Sequence, residues 1–240
     1  MNIQADPIDS PPNCLHFRDG DLSEEFLDKM DSVNEMPAVD LLFMMNVCIG
    51  DVEALEFADR LSENTAFKGA VLCQMQISQK SLAKVIDSLL INRKIQVFSL
   101  YGTPVLRRVA RAISKVLEVS QTLVELDLVA SELTSKTLST LVKGLCRNKT
   151  IKSLSLKSNL LDSEGVVWVA KLIRENCFIE KLDLSMCQLG DIGALEIATA
   201  LKLNRSLRVL NLERNEIGEE GRVCLLDALN ENPSTVELKL

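Results

Sequence analysis

The segment Leu207-Arg208-Val209-Leu210-Asn211-Leu212-Glu213-Arg214-Asn215-Glu216-Ile217 puts apolar residues at its first, fourth, sixth and last positions and an asparagine at its ninth. Moving back 28 residues gives Ile179, Leu182, Leu184, Cys187 and Leu189. Further moves give Ile151, Leu154, Leu156, Asn159 and Leu161, then Leu123, Leu126, Leu128, Ser131 and Leu133. The register continues through Ile95, Phe98, Leu100, Thr103 and Val105, through Phe67, Ala70, Leu72, Met75 and Ile77, and through Val39, Leu42, Met44, Val47 and Ile49. Forward from Leu207, the positions Thr235, Leu238 and Leu240 open an eighth copy. Only Thr235 breaks the apolar pattern, whereas a chain that is 47% hydrophobic would fill about half of such slots by chance. A fixed period of this length signals a stacked repeat architecture.

The rest of each unit repeats as well. Leu138, Leu141 and Leu145, then Val166, Val169 and Ile173, then Ala194, Ile197 and Leu201 recur at steps of three and four, one face of a helix. Glycines recur where the chain enters a helix, at Gly165, Gly193 and Gly221. Asn64, Asn92, Asn148, Asn176, Asn204 and Asn232 close the units, with Ser120 in the third. Asparagine suits a helix end because it tolerates the left-handed conformation and bonds nearby backbone. Each unit therefore reads as strand, turn, helix, turn. One unit cannot bury its own apolar face, so neighbours must stack. Strands sit about 4.8 Å apart while helices are about 10 Å wide, so the stack curves with the strands inside. Eight strands give an inner arc on the order of 35 Å, open enough for a protein and too open to enclose a metabolite.

The pattern over residues 39–240 resembles the ribonuclease-inhibitor-like class of leucine-rich repeats, with Asn159, Cys187 and Asn215 at the family's ladder position. The resemblance implies an α/β solenoid with a curved parallel sheet on the concave side and helices on the convex side. It implies a non-enzymatic protein-binding module, with tropomodulin-like capping of actin pointed ends and regulation of an enzyme, as GTPase activator or ribonuclease inhibitor, as alternatives. Val47, Met75 and Thr103 depart from the ladder, so the early coils are expected to lose a side-chain bond to backbone.

Composition narrows the classes. The chain has 240 residues, a net charge of −7 and a single histidine, His16. A lone histidine leaves little room for histidine-based metal sites or for a Ser-His-Asp or Cys-His nucleophile. The acidic balance argues against nucleic acid as a partner. No apolar run is long enough to cross a membrane, and the opening residues are polar and acidic rather than signal-like. There is no phosphate-binding glycine motif, and no cofactor is expected. Seven cysteines without a CxxC pair read as reduced thiols, which points to the cytoplasm, with the nucleus open. Asn148-Lys149-Thr150 and Asn204-Arg205-Ser206 match a glycosylation sequon that carries no meaning in such a compartment.

The charge is uneven: residues 1–40 hold ten acids and two bases. Residues 1–20 read as a flexible acidic arm, and residues 21–38 as an N-terminal capping helix opened by Asp21-Leu22-Ser23-Glu24 and stopped by Pro37. Leu22, Phe26, Met30 and Val33 would share its buried face. Leu238 and Leu240 end in mid-strand, which reads as a fragment or short form, or as an edge open to self-association.

Residues between the strand leucines project into the hollow. The early wall is apolar, with Phe43, Met45 and Tyr101, and is expected to meet either a partner or the chain's own arm. The later wall is charged, with Asp127, Lys157, Asp183, Glu213 and Arg214. These eight are the expected protein-binding residues, Tyr101 and Arg214 being of the types that most often dominate interfaces. Trp168 is expected to be partly exposed on a helix, as filler against its neighbour or as a convex contact. Arg107, Arg108, Arg111 and Lys115 make a basic helix face, read as solvated or as a dock for the acidic arm. Asp127 and Asp183 would sit roughly 10 Å apart, near an inverting-glycosidase spacing, but with no pocket around them to support catalysis.

Overall fold

The computed structural model describes residues 13–35, 39–232, 234 and 236–240. Residues 1–12 of the expected arm, Pro37 and Thr235 lie outside them. The chain opens with β1 (Cys14–Asp21), α1 (Glu24–Ser32) and a 3-10 turn (Val33–Glu35). Next come β2 (Leu41–Ile49), α2 (Asp51–Glu63), β3 (Gly69–Cys73), a short β4 (Gln76–Ile77), α3 (Gln79–Asp87) and a second 3-10 turn (Ser88–Leu90). Then strand and helix alternate through β5 (Val97–Tyr101), α4 (Arg107–Val119), β6 (Glu125–Val129), α5 (Ser135–Arg147), β7 (Ser153–Ser155) and α6 (Ser163–Glu175). The last elements are β8 (Lys181–Asp183), α7 (Gly190–Leu201), β9 (Val209–Asn211), α8 (Glu219–Glu231) and β10 (Glu237–Lys239). All pairings are parallel and the strands follow in order from β1 to β10, with β4 extending the β3 coil against the end of β2.

From β2 onward every strand pair is offset by 28 residues, for example Leu42 opposite Ala70 and Leu126 opposite Leu154. The repeating leucines point away from the hollow and meet the helices in one continuous core, where Leu42, Leu72, Leu100, Leu126, Leu154, Leu182 and Leu210 are all buried. Adjacent helices pack in the same order. Gly144 marks one close approach: a Cβ there would come within 2.9 Å of the Ser114 carbonyl, so α4 and α5 can touch only through glycine.

The N-terminal part differs from the sequence reading. Residues 14–21, expected to belong to a flexible arm, form β1 and pair with β2 at an offset of 27, Leu15 facing Leu42 and Phe17 facing Met44. Leu15 and Phe17 pack into the core, and the Phe17 and Phe26 rings lie 4.6 Å apart. α1 is thus the helix of a coil that already has its own strand, rather than a separate cap over 21–38. Moving back 28 residues from the first copy lands on Cys14, His16 and Asp19, while 27 lands on Leu15, Phe17 and Gly20. One missing residue hid the coil. Ser23 caps α1 through a bond from Phe26 N, and Leu22, Phe26, Met30 and Val33 are buried as expected.

The closing asparagines act differently from expectation. Asn64, Asn148, Asn176 and Asn232 are extended, with φ between −85 and −63, not left-handed. Each works through its amide. Asn148 Nδ2 donates to Leu117 O at 2.8 Å on the preceding helix, while its Oδ1 accepts Thr150 N and Ile151 N at 2.9 and 2.7 Å. Asn176 and Asn204 repeat the pattern toward Leu145 O and Ile173 O. Asn148 and Asn204 are therefore buried and fully engaged, which removes both sequons as acceptors. The left-handed positions lie instead at Asn46 within β2 and just after the later strands, at Gln74, Gly102, Ala130, Ser158, Met186 and Arg214.

Candidate functional site: the concave face

Because the leucines take the inner positions, the alternate residues of each strand must line the hollow. The pairing register sets His16, Phe43, Val71, Ser99 and Asp127 side by side, continued by Ser155, Asp183, Asn211 and Lys239. A second row runs Arg18, Met45, Cys73, Tyr101 and Val129, and on in the same register to Lys157, Ser185 and Glu213.

The apolar start of this wall is closed rather than open. Phe43, Val71 and Cys73 form a buried cluster with Cys14, Leu41 and Met45 around it. Two side chains of β1 meet Phe43: the Arg18 guanidinium stands 5.6 Å from the ring centroid and His16 meets the ring edge-on at 6.2 Å. Burial pushes the Cys14 and Cys73 thiols up to about 11, against the opposing pull of Arg18. Of the two occupants expected for the wall at Phe43, a partner or the chain's own arm, β1 from the arm holds that place, so Phe43 is not a free contact surface. Met45 is half-buried at the edge of the cluster.

Beyond the cluster the wall opens. Tyr101 is 38% exposed, the one aromatic among the exposed large hydrophobic residues that are described. Lys157 and Glu213 in its row are exposed, while Ser185 between them is buried. With strands about 4.8 Å apart, Tyr101 to Glu213 spans about 19 Å. Lys152 and Glu180 pair at 2.8 Å at the lower edge of the wall.

Asp127 and Asp183 lie in one row two strands apart and are half-buried. The Asp183 carboxylate accepts Ser185 N at 2.8 Å. Asp127 stands between Ser99 and Ser155, and its carboxyl is pushed up to about 7, first by burial and then by the charges of Glu125 and Asp183. Arg214 does not join this row. Its φ of +57 puts it in the turn after β9, where it lines a hollow of about 230 Å³ with Leu212, Ile217, Arg222 and Leu240.

Behind the wall runs the ladder that holds the turns. Asn159 Nδ2 donates to Leu128 O at 2.7 Å, and its Oδ1 accepts Ser131 N at 3.0 Å. Asn215 repeats this toward Leu184 O and Cys187 N, and the Cys187 thiol, raised to about 11 by burial, points at Leu156 O at 3.3 Å. Thr103, expected to break the ladder, keeps part of it: its hydroxyl accepts Met75 N at 3.0 Å. On the far side Trp168 is half-buried against the core, with Lys171 5.3 Å above its ring.

A family model for the leucine-rich repeat matches residues 175–198 and 203–226. No curated protein sequence matches the chain. Among solved structures, the Caenorhabditis elegans tropomodulin C-terminal domain is 17% identical with a TM-score of 0.45, over 75% of this chain and 93% of that one. The structure of leiomodin-1 actin-binding site 2 is 16% identical with a TM-score of 0.38, over 88% of this chain and 91% of that one. At these values neither likeness bears on a partner. The 28-residue strand–turn–helix coil, the Asn/Cys/Thr ladder behind one parallel sheet and the matched repeats give the chain an α/β solenoid fold built of leucine-rich repeats.

Proposed function

We propose that the chain is a non-enzymatic module that binds a partner protein on the later part of its concave face. The observation that carries this reading is the row Tyr101, Lys157 and Glu213: an exposed aromatic and two exposed charges of opposite sign, about 19 Å long, on a parallel sheet whose other face is fully committed to the core. An aromatic at one end of a row of charges suits a protein surface, where ring burial gives affinity and the charges give register. Asp127 and Asp183 add an acidic strip that favours a basic group on the partner opposite Ser155.

The test compares the chain with Tyr101→Ala and Lys157→Glu variants in affinity enrichment followed by mass spectrometry and by titration of the purified partner. A partner bound by the wild type and weakened at least tenfold by both variants, with melting temperatures unchanged, is the expected result. A partner retained equally by both variants would place the site elsewhere. Pointed-end capping of actin is checked in the same preparation by filament depolymerisation, where an unchanged rate removes it.

A further inference from the structure

We infer that the outer surface of α3–α5 is a second docking site, and that its occupant is an acidic polypeptide segment. The three helices carry nine bases and two acids, a net +7 on a chain whose total is −7. The 28-residue register aligns these charges across helices. Lys80, Arg108 and Lys136 occupy one equivalent position on α3, α4 and α5 and are all exposed. Lys115, Lys143 and Lys171 form a second row on α4, α5 and α6, seven residues further along each helix. Arg111 stands between the rows on α4, also exposed. Helix axes 8–10 Å apart and a rise of 1.5 Å per residue make this a lattice of cations at about 10 Å in both directions.

The field is largely unneutralised. Among the described residues its ion pairs are Lys80 with Asp51, Lys171 with Glu175 and Arg147 with Glu118. Among the described residues no ion pair engages Arg108, Arg111, Lys115, Lys136 or Lys143. Packing does not require bases at these positions, since the equivalents of Arg111 on α5, α6 and α7 are Ser139, Val167 and Leu195.

The surroundings select the occupant. On one side lie α1 and α2, with nine acids and two bases; on the other lies α6, balanced at two acids and two bases, and beyond it α7 and α8, with six acids and one base. The basic band is three helices wide, about 30 Å, with an acidic flank directly on one side and another beyond α6 on the other. A broad anionic surface such as a membrane would press those flanks against like charge. The three helices contain no aromatic residue, so they offer neither a stacking platform for bases nor an interfacial anchor for lipid. An extended peptide rises about 3.3 Å per residue, so carboxylates at every third position fall about 10 Å apart and match either row.

The experiment titrates the full chain against a fluorescent 16-residue peptide with glutamate at every third position, read by anisotropy at low and physiological salt. Duplex DNA and phosphatidylserine vesicles serve as comparison ligands. The expected result is saturable binding that weakens with salt, falls at least tenfold in the triple variant Arg108→Gln, Arg111→Gln, Lys115→Gln, and is unchanged in Lys202→Gln at the end of α7. Circular dichroism melting establishes that both variants are folded, and a Lys136→Gln, Lys143→Gln variant on a separate helix reports the same surface if the triple variant does not fold. Absent saturable binding, binding undiminished from the wild type in the α4 and α5 variants, or tighter binding of DNA or vesicles than of peptide overturns the proposal.

Discussion

Asn148 shows what single residues contribute here. It is buried, and its one amide closes α5, receives the next strand's amides and reaches back to α4. Asn148→Ala leaves a helix-end carbonyl and two amides without partners inside the core, a loss of about 2–4 kcal/mol, to be read as a drop in urea midpoint. Asp127 behaves oppositely. Its folded pKa of about 7 lies above the ordinary 3.8, so between those values the folded state holds a proton that the unfolded chain has released. Its contribution to stability is therefore greatest below pH 4 and is lost as pH rises toward 7. Asp127→Asn should raise stability at pH 8 by roughly 1–3 kcal/mol, with the gain shrinking toward pH 4, as followed by thermal melts across that range. The 28-residue spacing made the buried positions legible from sequence. It did not reveal that the asparagines would be extended, because a side chain that bonds the backbone ahead and behind serves a helix end equally well without φ above zero. Nor did it reveal that Thr103 could stand in the ladder with a hydroxyl alone.

At the scale of elements, strand and helix order followed from apolar periodicity, and β1 did not. Its inward residues Leu15 and Phe17 are too few to announce a strand, and a spacing of 27 removed them from the common register. β1 also decided the site: it closes the Phe43 cluster and leaves Tyr101 as the first open position of the wall. Phe17→Ala should cost about 2–3 kcal/mol locally, since it removes the ring that meets Phe26 and holds β1 on β2. Hydrogen exchange would show faster exchange at residues 41–45, with α6–α8 unaffected. Equal acceleration throughout would mean the first coil is not an independent unit. The helices also cap one another across coils: Asp191 of α7 accepts Gly218 N and Gly221 N at the start of α8, at 2.7 and 3.0 Å. Glycine at 221 also lets α7 and α8 approach, because a Cβ there would come within 2.9 Å of the Ala194 Cβ.

The whole molecule is a line of coils, each touching its neighbours, and its stability should be distributed in the same way. Trp168 on α6 is the sole tryptophan and reports the interior of the line. In urea, circular dichroism should begin to fall before tryptophan fluorescence moves, as outer coils fray first; coincident curves would show a single all-or-none transition. The convex face runs from acidic helices to basic ones and, past the balanced α6, to acidic ones again, a pattern visible only once the helices are aligned, since along the chain the same charges look scattered.

The cross-coil bonds have a bearing on how the protein is made. Asn148 to Leu117, Asn176 to Leu145 and Asn204 to Ile173 each join residues 31 apart. Parallel sheets ordinarily wait for distant segments to find each other, which slows them and leaves sticky edges bare. Here each nascent segment meets its mate after roughly 30 further residues, a few seconds of translation, so the sheet can lengthen at the pace of the ribosome.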